Sequence, residues 1–294
     1  MKIDVPMLSH GPDTLPPMPS WVSSRKADTL EDMAFLSGAA LAHLYLVVNS
    51  AEVPRALLRE RLALRAAEAC MTFTGRSERS GELRDAIHLL RPGDLPGPAG
   101  DIYLGWRRAV ERPLSVKILQ SAFPDVEAAM IVRWHNAGTG APVTRAASVL
   151  EAVLTEAPRA EAAALALADA ALAQALGWDH VVPLMAAGLK PADLNKRGEE
   201  LRLACHRGVR VSSIEGVRLA TDLARRVARL NAVAPKLRAK GAGAAVIMFL
   251  TRDAIAPAAL PLADRAARRL CERLVELKAV REVTGRDTFR LYGV

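Results

Sequence analysis

Residues 159–176 read RAEAAALALADAALAQAL, a run in which almost every position is alanine or leucine. Alanine is the strongest helix former and leucine ranks close behind it. Such a helix is expected to bury Leu165, Leu167 and Leu172. The run therefore predicts a core built by close helix–helix packing. It leaves Asp169 as one carboxylate inside an apolar segment. Aromatics at only 4% point the same way, because large sheets are built on aromatic and β-branched residues. At 294 residues with 51% hydrophobic content, the chain can bury a large core and is not a disordered polymer.

Helical spacing recurs along the body. Five prolines between Pro6 and Pro19 predict an extended leader over 1–26. Asp28 and Thr29 can cap a helix that reaches Val48. A second helix is expected from Glu52 to Gly75, with Leu57, Leu58, Leu62 and Leu64 inward, and a third over 82–90. The segment 91–101, RPGDLPGPAGD, is read as wholly irregular. Further helices are expected over 101–111, 115–122, 126–136, 144–155 and 159–176, then a boundary at 183–198. From Glu199 the pattern is helical again, and Ser212 or Ser213 could cap a helix that ends before Pro235. The expected division is a leader at 1–26, a helical domain at 27–198, a basic connector at 199–240 and a final unit at 241–294.

Charge separates these parts. Residues 1–198 hold 21 Lys/Arg against 22 Asp/Glu, whereas 199–294 hold 19 against 10. The whole excess of +8 thus belongs to the last third, which favours a polyanionic partner. Cys70, Cys205 and Cys271 are odd in number and widely spaced, which suggests buried thiols in a reducing compartment. The apolar run at 33–48 is about 16 residues long, under the roughly 20 a span needs, so the expectation is a cytoplasmic protein without a membrane segment.

The last unit has the order of a winged helix-turn-helix. A helix over 242–250 is followed by a short one over 255–260, a turn at 261–263 and a third helix over 264–278. On that third helix Ala266, Ala267, Leu270, Leu274 and Leu277 share one side. Arg265, Arg268 and Arg269 oppose them, with Arg273 at the flank. Strands over 280–283 and 288–292 would form a hairpin with Arg286 at its tip and Arg290 in its second strand. A helix of this kind fits the major groove, and a hairpin arginine suits phosphate or the minor groove. Double-stranded DNA is accordingly the expected partner, and the glutamates beside the arginines are the argument for a protein partner instead.

The runs LRDA at 83–86, PGDLPGPAG at 92–100, APKLRAKGA at 234–242, DRAARRL at 264–270 and VTGRDTFRLYGV at 283–294 resemble a bacterial domain-of-unknown-function family, number fourteen-hundred-and-three. The likeness runs from about Pro19 to the end and implies no catalytic residue, cofactor or metal. Residues 262–292 also resemble the winged helices of Fic-type and MarR-like proteins; the Fic catalytic loop has no counterpart here. A second candidate site is a small polar pocket of Arg84, Asp85, His88, Asp94 and Asp101, with His88 as acid or base. Its competing reading is that these groups cap helices and pair locally. The expected function is non-catalytic DNA binding by a regulator, with the N-terminal domain for dimerisation or sensing. An assembly protein whose winged helix contacts another protein is the alternative.

Overall fold

The computed structural model describes residues 15–284, 286 and 289–294. Residues 1–14 of the expected leader lie outside them, as do Gly285, Asp287 and Thr288 of the expected hairpin. Among the described residues the chain is all-α apart from one two-stranded sheet.

The start is less extended than the prolines suggest. A single helical turn, α1 (Ser20–Ser24), follows Pro19, which sits at its N-cap. Proline is excluded from helix interiors but costs nothing where the amide has no helical acceptor. Helix α2 (Leu30–Val48) begins as expected, with the Thr29 side chain accepting from the Asp32 amide. At 19 residues it is long and apolar enough to cross a bilayer, and its window of highest hydropathy is 39% buried. Helix α3 (Arg55–Phe73) carries ten buried residues, among them Leu57, Leu58, Leu62 and Leu64. Each fully buried leucine contributes about 1.5–3 kcal/mol.

Helix α4 (Ser80–His88) leads into the loop read as irregular throughout. Only its first part is so: α5 (Gly97–Glu111) already starts at Gly97, with Pro98 in its first turn. The physical reason is again the tolerance of a first turn for proline. Three helices, α6 (Val116–Ala122), α7 (Ala128–Asn136) and α8 (Pro142–Glu156), then bring the chain to α9 (Glu161–Ala175). Alanine-rich α9 is buried continuously from Ala163 to Ala173 and packs against α8, as its composition requires.

The segment at 183–198 contains a short helix, α10 (Met185–Gly188), and a 3-10 turn, and its apolar residues join the central core. Helix α11 (Gly198–Val233) follows, 36 residues without interruption. Ser212 and Ser213 cap nothing. They lie buried in mid-helix, where Ser212 Oγ donates to the Leu184 carbonyl at 2.7 Å. Tertiary contact has overridden their capping preference, and α11 packs along α2 and under α10.

After a 3-10 turn at Ala234–Lys236 comes α12 (Ala242–Thr251), buried at Ala242, Ala245, Val246 and Phe249 but with Ile247 exposed. The short helix expected over 255–260 is a three-residue 3-10 turn, Pro257–Ala259. Before it, Ile255 exchanges two backbone hydrogen bonds of 2.9 Å with Tyr292. Helix α13 (Asp264–Glu276) then leads to β1 (Arg281–Glu282), which pairs antiparallel with β2 (Tyr292–Gly293). The second strand is displaced toward the end of the chain from its expected position. Leu291 and Tyr292 are both buried, so neighbouring side chains there do not alternate between core and solvent. One cluster of buried apolar residues runs from Leu15 to Val294 across every expected boundary.

Candidate nucleic-acid interface

Helix α13 is strongly two-sided. Ala267, Leu270, Cys271 and Leu274 are buried, while Arg265, Arg268, Arg269 and Arg273 are exposed. Ala266 and Leu277, expected inward, are only half-buried, and Cys271 takes a core position instead. Burial pushes the Cys271 thiol up to about 12, so it stays protonated. Two of the arginines are engaged along the helix. Arg268 lies 3.8 Å from Asp264, and Arg273 lies 2.9 Å from Glu276. Arg265 and Arg269 make no ion pair among the described residues. These pairs are exposed, where such contacts are worth little and exchange readily for other anions.

The hairpin arginines are placed differently. Arg290 Nε lies 3.8 Å from Glu282 on the neighbouring strand. Arg286 reaches the body: its guanidinium is 2.8 Å from Asp85 on α4. One residue from each expected site thus meets the other.

The expected polar pocket comes apart into separate roles. Arg84 is buried and forks onto Asp253, with Nε 2.6 Å from Oδ2 and a terminal nitrogen 3.1 Å from Oδ1. Asp94 accepts from the Arg91 amide at 2.9 Å and closes its own turn. Asp101 is exposed on the second turn of α5. No hydrogen bond joins His88 to Asp85, Asp94 or Asp101 among the described residues. Burial, with help from the neighbouring Arg107, pushes His88 down to about 4, so it is neutral near pH 7.

What does converge is a buried charge cluster around Asp253, in the link between α12 and the 3-10 turn. Besides the Arg84 fork, Arg61 of α3 lies 2.7 Å from Oδ1. Arg61 also donates to the Asp253 and Val294 carbonyls at 3.2 and 2.8 Å. The Arg61 and Arg84 guanidiniums hold Asp253 below the usual carboxylate range although burial opposes this. Gly293 completes the cluster, since a Cβ there would lie 2.5 Å from the Asp253 carbonyl oxygen. Arg61 was legible in part. It falls four residues after Leu57 and three after Leu58, on the apolar face of α3. Asp253 carries no local signal.

Two other polar groups are buried. Asp169 accepts from the Leu184 and Met185 amides at 3.0 and 2.9 Å, and burial pushes its carboxyl up to about 7. His206 Nδ1 lies 2.7 Å from Ser37 Oγ and fastens α11 to α2, while neighbouring Cys205 is buried in the core. Among the described residues no group of three or more His, Cys, Asp or Glu could hold a metal ion.

Fold and site together define a helical protein whose final helix-and-hairpin segment is clamped to the body through buried charges and turns an arginine face outward. The chain belongs to the family described as Protein of unknown function (DUF1403), whose model matches residues 7–294. No curated protein matches it.

Proposed function

We propose that residues 241–294 form a winged helix-turn-helix unit that contacts double-stranded DNA, with α13 as the helix entering the major groove. The observation that carries this reading is the exposed row Arg265, Arg268 and Arg269 on a helix whose other face is buried. A 12 Å major groove admits one such helix, and arginine matches guanine edges and phosphates bidentately. The element order supports it: helix, bridging residue, short turn, amphipathic helix, hairpin, with Ile255 paired to the second strand. The short 3-10 turn in place of a second helix is a departure from the usual motif. On this reading the protein is a non-catalytic regulator whose helical body serves dimerisation or sensing.

A second reading has its own observation. Arg286 is tied to Asp85 and so is partly withdrawn from a partner, which suits a unit that packs on protein in an assembly.

Fluorescence anisotropy with a labelled duplex at rising salt separates the two. DNA contact predicts binding at low salt whose log K falls with log salt at a slope of about −0.9 per phosphate contacted. The triple substitution Arg265→Ala, Arg268→Ala, Arg269→Ala should abolish it. Absence of binding at low salt, or an unaffected triple variant, favours the assembly reading.

A further inference from the structure

Behind α13, where its end and β1 face the last third of α11, lies a cavity of about 490 Å³. That size falls in the range of small-molecule sites, about 300–1,000 Å³. Its walls include Arg226, Arg229, Lys278 and Arg281 with two acids, Asp222 and Glu282. Each acid already has a cation. Asp222 accepts from Arg226 Nε at 2.9 Å, and Glu282 lies 3.8 Å from Arg290. Among the described residues Arg229 donates only to a neutral carbonyl, that of Lys278, at 3.4 Å. Positive charge is therefore in surplus around a concave surface, whose apolar lining includes Val275 and Val280.

The backbone at the rim supplies a second, independent observation. Helix α13 closes with paired reversed hydrogen bonds: Lys278 N–H to the Val275 carbonyl, and Ala279 N–H to that of Leu274. The residue at the turn of this motif is left-handed and is ordinarily glycine. Here it is Lys278, with φ of 54°. A side chain there strains the backbone, so stability alone favours glycine. A cation thus stands at a strained backbone position on the wall of a cationic cavity. Burial first, then Arg226 and Arg61, lowers the pKa of Arg281, a repulsion that a bound anion would relieve.

We propose that this cavity binds a soluble organic polyanion of nucleotide size, with its phosphates on Arg229, Lys278 and Arg281 and its apolar part against Val275 and Val280. The proposal stands whether or not the arginine face of α13 meets DNA. A ligand here would bridge α11 to the α13–β1 link, and so stiffen the attachment of the C-terminal unit to the body.

Calorimetric titration of the full chain with ATP, sodium tripolyphosphate and adenosine tests it. ATP should bind, tripolyphosphate about tenfold more weakly for lack of an apolar part, and adenosine not detectably. Joint Arg229→Ser and Arg281→Ser substitution should weaken ATP at least about tenfold. Lys278→Gly should raise the melting temperature and yet weaken ATP severalfold, a pairing that a purely structural lysine would not give. The proposal is overturned if ATP does not bind, if tripolyphosphate binds equally well, or if both variants bind as the native chain does. It is equally overturned if the cavity substitutions weaken only duplex binding, which would assign these cations to the DNA backbone.

Discussion

Asp253 carries more of the tertiary structure than any sequence pattern around it suggests. It pairs with two buried guanidiniums at once, on α3 and on α4. Removing one member of a buried ion cluster strands the others in low dielectric, at about 3–5 kcal/mol. Asp253→Asn should therefore lower the unfolding free energy by that much, read as a fall in the denaturant midpoint, leaving Arg61 and Arg84 uncompensated. A loss under about 1 kcal/mol would mean that water reaches the cluster. Asp169 makes a different prediction, in pH. Its folded pKa of about 7 lies above the ordinary 3.8, so protonation stabilises the fold. That contribution is complete below about pH 3.8 and disappears as pH rises through 7. Asp169→Asn retains an acceptor for the Leu184 and Met185 amides without titrating. Its melting temperature relative to the native chain should rise steadily from pH 4 to 7.5, and a constant difference would show that Asp169 does not titrate there.

Helices were the legible part of this protein, because a repeat of 3.6 residues survives wherever one face is buried. Thr29, Ser115 and Pro235 mark ends that a local reading finds. The unbroken course of α11 through Ser212 and Ser213 was not legible, because both are good caps in isolation, and Ser212 becomes an interior residue through its bond to the Leu184 carbonyl at the start of α10. Close approach of those two helices rests on glycine. A Cβ on Gly188 would fall 2.2 Å from the Gly208 carbonyl oxygen. Gly188→Ala should then destabilise by roughly 1–3 kcal/mol, as overpacking does. Gly38 of α2, exposed with nothing within 4 Å of its would-be Cβ, is the matched contrast. Gly38→Ala should stabilise by about 0.5–1 kcal/mol through helix propensity alone. Thermal denaturation of the pair decides: melting shifts of the same sign would refute the close contact between α10 and α11.

At the scale of the molecule, body and C-terminal segment share one core and one buried charge cluster. A chain ended at residue 240 would lose Asp253 and leave Arg61 and Arg84 buried without it. It should lack the cooperative melting transition of the full chain and be cut by protease within α3 or α4. A truncated body that melts as sharply and as hot would show that the clamp is dispensable. On the proposed reading the same clamp would present the arginine face to DNA in one orientation.

Composition and periodicity alone determined the all-helical class, the inward face of α3, the burial of α9, the two-sided character of α13 and the concentration of positive charge in the last third. These are local or additive properties, readable because each residue votes within its own turn of helix. Tertiary structure alone decided which charges meet. Arg84 left its expected pocket for Asp253, and Asp85 took Arg286, each across more than 160 residues of chain. It also decided that Lys278 stands where glycine normally would, at the rim of a cationic cavity. Such pairings depend on distance in space, and a linear pattern carries no record of that distance.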